Sequence, residues 1–472
     1  MSAQDKKHLP VLLPPTVPQG SLNADGSRSF VYPADVSGRF VTLRRVVFYA
    51  LIALWAALPW IPVSGHPAIF VDVEHRKFFL FGSTFNSQDI WLMFFIITGT
   101  AFTLLYATAV AGRVWCGWAC PQTVFLEGLY RPIERLTEGP REKRIKLDKA
   151  PWGLEKLLRR TVKHLLFLAT SIFVAHVFVG YFVSLPRLWE MMRGNPGAHP
   201  EAFAWAASVT LILHGNFAWF REQLCLIICP YGRLQSVLVD TDSITIGYDE
   251  LRGEPRGKAG TEGAGDCVDC KRCIVVCPTA IDIRHGMQLD CIGCTQCIDA
   301  CDEVMDKIGR PRGLVRYDSL NGLAGKPKRF LRPRLYLYTA LLVVGVVVAT
   351  LAFRRHTEFE ANLFRQPGLP YVMDGGQVRN SFTIHLVNKT NATETFLIEP
   401  EATAGATFVV PLARVELASF GSATAPVFVS MAAGSLHGDF PITVRIRRVG
   451  AADPSTAITV TAKFLGPSNA TR

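Results

Sequence analysis

Stray cysteine is missing from this sequence. All twelve cysteines fall between positions 116 and 301, each in a spaced motif. Use of cysteine as an ordinary small core residue would scatter it along the chain and does not account for the set. The first 40 residues lack the short apolar run and cleavage site of a secretory leader. They are polar, carry Pro10, Pro14, Pro15, Pro18 and Pro33, and predict a disordered tail that stays on the chain. The net charge is +11, yet no basic patch interleaved with aromatics accompanies it, which excludes nucleic acid as a partner. The C-terminal part has no cysteine, and its Glu, His and Ser residues stand at no catalytic spacing.

Apolar residues are abundant, at 49% of 472. Such an excess is expected in lipid-spanning runs rather than in one outsized core. Five runs qualify: Val46 to Val63, Ile90 to Ala111, Thr161 to Leu185, Ala202 to Phe220 and Leu335 to Phe353. Each is near the ~20 residues that cross ~30 Å of hydrocarbon as helix. Positive charge is scarce in two of the loops between them. Ser64–Asp89 holds only Arg76 and Lys77, and Pro186–Glu201 only Arg187 and Arg193. The alternate loops are rich in Lys and Arg, so the charge bias predicts a cytoplasmic N-terminus, cytoplasmic cysteines and an outside C-terminus. A reducing compartment disfavours structural disulfides and points to metal ligands or redox thiols.

Eight cysteines have ferredoxin spacing. Cys267, Cys270, Cys273 and Cys277 are followed by Pro278, and Cys291, Cys294, Cys297 and Cys301 repeat the run after a 13-residue gap. In such a run three thiolates wrap one cluster and the fourth reaches the partner cluster. The spacing therefore predicts two 4Fe-4S clusters. Cluster 1 takes Cys267, Cys270, Cys273 and Cys301, and cluster 2 takes Cys291, Cys294, Cys297 and Cys277. Four-cysteine zinc sites are the alternative, but they usually show two knuckles parted by a longer gap. Asp302 stands where a second proline is expected.

The other four cysteines form two Cys-x3-Cys-Pro pairs, Cys116/Cys120 and Cys225/Cys229, each after a two-span hairpin. Their recurrence reads as an internal duplication that brings the four thiols to one membrane surface. On a helix, positions i and i+4 share a face, and Pro121 or Pro230 then bends or ends that helix. Four thiolates would make a soft site suited to Cu(I) or to a thiol/disulfide couple, and inert buried cysteines are the bland alternative. His164, His176 and His214 lie within apolar runs, where ionisable groups are costly; a haem or quinone contact competes with a simple helix-to-helix hydrogen bond. After residue 353 the alternation at Phe382-Ile384-Leu386, Ile442-Val444-Ile446 and Ile458-Val460-Ala462-Phe464 predicts an antiparallel sandwich.

The expected architecture is a multi-domain membrane protein. It comprises a disordered cytoplasmic tail (1–43), four transmembrane helices as two hairpins (44–220), and a cytoplasmic segment (221–334) with a ferredoxin-like domain at about 248–320. A fifth transmembrane helix (335–353) and an outer β domain (354–472) complete it.

Five spans, two Cys-x3-Cys-Pro pairs, a double-cluster segment and a cysteine-free outer sandwich resemble the cytochrome c oxidase accessory family CcoG, also known as FixG or RdxA. The resemblance runs from about Arg28 to the C-terminus. It implies an immunoglobulin-like outer domain and residence in the bacterial cytoplasmic membrane. It further implies support of cbb3-type oxidase assembly and reduction of Cu(II) to Cu(I), with copper as substrate. Cys116, Cys120, Cys225 and Cys229 are then the expected copper site. A cytoplasmic electron donor, copper-handling factors and oxidase assembly factors are the expected partners, and a homo-oligomer stays open. Two other readings share the motifs: a quinol dehydrogenase of the nitrate-reductase-associated NapH type, which lacks the fifth span and outer domain, and a non-catalytic redox-sensing scaffold.

Overall fold

The apolar runs become helices because a backbone in lipid must satisfy its own hydrogen bonds. The computed structural model describes residues 30–467 apart from 64, 75, 86–88, 328, 330–331, 355–356, 391, 437 and 451–456. Four of its described helices are long and apolar enough to cross a membrane: Arg39–Trp60, Trp91–Ala111, Leu154–Val179 and Pro333–Phe353. The fourth expected run is a 16-residue helix, Pro200–Gly215, continued by a π-helical stretch, Asn216–Phe220. It is apolar but, at 16 residues, shorter than the other four helices. The third span starts at Leu154 rather than Thr161. Hydropathy misses these first turns because Glu155, Lys156, Arg159 and Arg160 are charged, yet Lys156 is buried, as is Lys163 within the expected run. The Lys156 ammonium donates to the carbonyls of Asp148 and Ala150, and Lys163 pairs with Glu138 at 2.7 Å.

The chain divides into two units. The larger comprises residues 1–75, 79–82 and 93–347, and the smaller 76–78, 83–92 and 348–472. In the larger unit, part of the expected tail is ordered. Residues 1–29 lie outside the described residues, but Val31, Ala34, Val36 and Val41 are buried, and the first helix begins at Arg39. The correction has a physical cause. The Ala34 amide donates to the Val275 carbonyl, and the Asp299 carboxylate accepts from the amides of Phe40 and Val41 at 3.2 and 2.7 Å. Asp299 thus satisfies orphan donors at the start of the first span. It also fills the space where a Cβ on Gly38 would sit.

A buried charge network ties this tail to the spans. Glu134, on the helix Arg131–Glu138, accepts two bonds from Arg221 at 3.1 and 2.9 Å and one from Arg144 at 3.0 Å. Arg144 also donates to the Pro33 carbonyl at 2.8 Å. Burial by itself would raise the Glu134 carboxyl; the charge and hydrogen bonds of Arg221, with Arg131 and Arg144, overcome it and hold the group at about 2.

The cluster segment is pinned by an antiparallel pair of strands, Thr245–Tyr248 and Val315–Asp318, and by the helix Gln296–Lys307. The linker Lys326–Arg334 falls partly outside the described residues. In the smaller unit two sheets form a sandwich. One joins strands 406–409, 422–432, 377–388 and 359–365, with 372–374 beside 377–388; the other joins 414–417, 394–400, 440–448 and 458–464. Phe382, Ile384 and Leu386 face Ile442, Val444 and Ile446 in one buried core, as the alternation predicts.

Glu134→Gln removes the charge that two buried guanidiniums share, so thermal or denaturant unfolding should show a loss of about 3–5 kcal/mol. In acid the native protein should weaken in the same place. The folded Glu134 value is depressed, so its contribution, about 3 kcal/mol, is complete above the ordinary carboxyl value and is lost as the pH falls toward 2. Circular dichroism against pH, with the Gln variant lacking this component, checks it.

Candidate iron–sulfur and thiol centres

Each ferredoxin run folds into a loop whose backbone alternates in hand. In the first, Asp269 and Lys271 have φ of 49° and 55°; in the second, Gly293 and Thr295 have 68° and 63°. These positions correspond in the repeat. Alternation of this kind turns successive amides toward one point and makes an anion-binding nest. Three of the four are not glycine, so the conformation costs energy that the surroundings must offset. At Asp269 the offset is visible as an ion pair with Arg284 at 2.5 Å.

Two cavities lie within these loops. Cys267, Cys270, Cys273 and Cys301 line one, with Met305, Leu314 and Val315 as apolar wall. Cys277, Cys291, Cys294 and Cys297 line the other, with Ile246, Ile281 and Ile283; Cys273 touches both. The fourth cysteine of each run therefore faces the other run's cavity. Burial pushes Cys273, Cys294 and Cys301 up to about 12 and Cys291 to about 11, and raises Cys277 and Cys297. Thiols so placed gain most from a cationic metal that stabilises their anions. Among the described residues no three His, Cys, Asp or Glu side chains converge on one ion. Thiols spread around a cavity are what a cube of four irons requires. Each cavity fits such a cluster, and the second has a further feature. Arg44 is buried, its Nη2 has no partner among the described residues, and its charge reaches Cys294. A bound anionic cluster would complement that charge.

The Cys-x3-Cys-Pro pairs are built differently from expectation. Cys116 lies on a short helix, Val114–Trp118, and Cys120 caps the next helix, Pro121–Phe125. Cys229 likewise caps Pro230–Leu238. Each proline opens a helix rather than ending one, because the first helical position needs no amide donor. The thiols of a pair are thus separated by a turn, not stacked along one helix. The turn is the same in both copies. The Cys120 amide donates to the Trp115 carbonyl, and the Cys229 amide to the Leu224 carbonyl, each five residues back. This matches the expected duplication at backbone level.

The four thiols are near enough for Cys225 to feel the charges of Cys120, Cys116 and Cys229, although no three of them converge on one ion. Burial raises Cys225 to about 12 and Cys116 to about 11. It raises Cys120 too, while the amides of Gln122 and Thr123 pull the other way. Gln235, fully buried, donates from Nε2 to the Cys116 sulfur at 3.3 Å. Gln122 and Asn216 exchange side-chain hydrogen bonds, and Gln122 donates to the Arg221 carbonyl at 2.9 Å. Spacing gives no hint of Gln235, Asn216 or Arg221. For Asn216 alone, a polar residue in an otherwise apolar run is the available signal.

The thiol site touches the second cluster loop. A Cβ on Gly117 would stand 2.2 Å from the Gly293 carbonyl oxygen, so the two backbones meet where only glycine fits. Arg113 brackets the contact, donating to the Cys291 carbonyl at 3.0 Å and the Gly232 carbonyl at 2.8 Å. The Trp118 indole donates to the Tyr317 hydroxyl, which donates to the Gly293 carbonyl. Of the three histidines, His176 bonds the Ile172 carbonyl in its own helix, whereas His164 Nδ1 and His214 Nε2 pair at 3.4 Å. That pairing is the helix-to-helix bond, and it leaves no gap for a macrocycle between the rings.

Three family models match the chain. A 4Fe-4S binding domain covers residues 91–140, a 4Fe-4S dicluster domain covers 220–320, and the Ig-like fold at the C-terminal of FixG covers 348–467. The protein RdxA of Cereibacter sphaeroides is 35% identical over 394 residues, covering 80% of this chain and 83% of its own. RdxB of the same organism is 37% identical over 384 residues, 77% of this chain and 80% of its own. The nitrogen fixation protein FixG of Rhizobium meliloti is 31% identical over 430 residues, 81% of each.

The crossed cysteine sets make a countable prediction. Anaerobic protein should hold about eight irons. Cys277→Ala combined with Cys291→Ala should leave about four, since both would strip one cavity. Cys277→Ala combined with Cys267→Ala should leave almost none. Iron analysis giving the reverse pattern would show that each run closes on itself.

Proposed function

Since the chain belongs to the family of RdxA, RdxB and FixG, we propose that it is a membrane-bound iron–sulfur electron-transfer protein that reduces Cu(II) to Cu(I) in support of cbb3-type oxidase assembly. Cys267, Cys270, Cys273 and Cys301 hold the first 4Fe-4S cluster, and Cys291, Cys294, Cys297 and Cys277 the second. Bound there, the clusters supply one-electron storage and transfer. Cys116, Cys120, Cys225 and Cys229 receive copper as substrate, and their soft sulfurs favour Cu(I), the product.

The observation that supports this reading is the Gly117–Gly293 contact, which sets the thiol site directly against the second cluster loop. Gln235 and the start of the helix at Pro121 supply fixed hydrogen-bond donors to the sulfurs, so that a change of charge there needs little rearrangement. The charge bias of the loops supports placing the N-terminus and all twelve cysteines on the cytoplasmic side. The helical run 200–220 then makes a fifth crossing and the Ig-like domain lies outside. A cytoplasmic reductant, copper-handling proteins and oxidase assembly factors are the partners this placement requires.

The test mixes anaerobic protein with Cu(II) and a Cu(I) chelator. Replacing Cys116, Cys120, Cys225 and Cys229 together by Ser should slow chelator colour at least tenfold with iron content unchanged; a wild-type rate would remove copper from the site. Gly117→Ala, which must push the two loops apart, should also slow the reaction while both clusters stay bound.

A further inference from the structure

A groove opens beside the paired histidines. Its volume is about 550 Å³, within the range of small-ligand sites, and its walls include Trp152, Leu157, Leu165 and Leu168. Leu157 and Leu165 are more than half exposed on a helix of membrane-spanning length, so the mouth faces the apolar phase. Its cations are already engaged. Arg160 pairs with Asp148 at 2.6 Å and Glu138 at 3.2 Å, and Lys156 is held by two carbonyls. A phosphate would find little free positive charge. What remains free is one imidazole nitrogen: the mutual bond uses His164 Nδ1 and His214 Nε2, which leaves Nε2 of the exposed His164 ring open, while His214 Nδ1 is shut inside without a partner among the described residues. The ligand that matches is neutral, with an apolar tail and a head that gives up protons.

We infer that this groove binds a membrane quinol, with His164 at its headgroup and His214 holding the His164 ring in place. The inference rests on the electron-transfer reading and supplies an electron source within the membrane, in addition to a cytoplasmic donor. Oxidation breaks the two O–H bonds of one quinol and leaves the quinone. One proton goes to His164 Nε2 and the other to water at the polar end of the groove, which Asp148 and Arg160 line, and the two electrons leave singly to one-electron acceptors of the iron–sulfur class. A bonded path leads from the groove to the thiol site, which abuts the second cluster loop at Gly117 and Gly293. His214 lies two residues before Asn216, whose side chain bonds Gln122 at 2.7 Å, and Gln122 lies two residues after Cys120. His164 is the substrate contact, His214 positions it, and Leu168 only shapes the groove.

The full chain with its clusters, in lipid nanodiscs, is titrated with decylubiquinone while tryptophan fluorescence is followed, and then treated with decylubiquinol while the iron–sulfur absorbance is followed. Two variants are compared: His164→Gln with His214→Gln, and Leu168→Trp, which fills the groove without touching the histidines. Both should weaken quinone binding at least tenfold and slow bleaching by the quinol at least tenfold, while dithionite bleaches them as it does the wild type. Wild-type binding and bleaching in both variants would overturn the site, as would a wild-type protein that binds no quinone. If dithionite fails to bleach the wild type, the electron-transfer reading falls, and the binding titration still decides the groove.

Discussion

One carboxylate holds two buried guanidiniums, and both groups of cysteines hang on it. Glu134 neutralises Arg221 and Arg144, and removing either partner of such a set strands a charge in a medium that cannot solvate it. Arg221 adopts φ +54°, a conformation that costs energy for a side-chain-bearing residue, just where the chain leaves the helical run 200–220 for the second thiol pair. Its carbonyl is then available to Gln122, which follows the first pair. Arg144 carries the same network to Pro33, and the next residue, Ala34, is bonded to Val275 in the cluster segment. A single ionised group thus fixes the two halves of the duplicated unit and the cluster segment in one frame.

Within that frame, close approach replaces flexibility. Gly38 under Asp299 and Gly117 against Gly293 are places where a methyl group would collide. The first seats the opening turn of the first span on the cluster helix, and the second sets thiol site on cluster loop. Arg44 joins the two contacts, since its guanidinium donates to the Gly117 carbonyl at 3.0 Å while its charge reaches Cys294. Rigid, water-poor contacts of this kind suit electron transfer, because dipoles already oriented need not reorganise when charge moves. The groove beside the histidines differs, being open to the apolar phase, as an exchanging ligand requires.

Much of this was legible along the chain. The cysteine spacings mark both cavities and their crossed membership, since a short Cys-x2-Cys loop can wrap only one cluster. The alternation at Phe382-Ile384-Leu386 marks a buried strand face, and the apolar runs mark the helices. Errors arise where local pattern and tertiary demand diverge. Proline after cysteine looks like a helix stop, yet Pro121 and Pro230 each start one. A proline-rich polar tail looks disordered, yet residues 30–38 find partners in the cluster segment. Lys156 looks as if it lies beyond the end of a span, yet the carbonyls of Asp148 and Ala150 bury it within the first turn.

The sequence by itself determined the chemistry: eight cysteines with cluster spacing, four more in matched pairs, and helices of spanning length, because ligand spacing and hydropathy act over a few residues. Only the tertiary structure decided which groups meet. Glu134 and Arg221 are 87 residues apart and Arg113 and Cys291 are 178 apart. Such pairs are selected by the cost of leaving a buried charge or donor unmatched, and that cost exists only once the chain has folded.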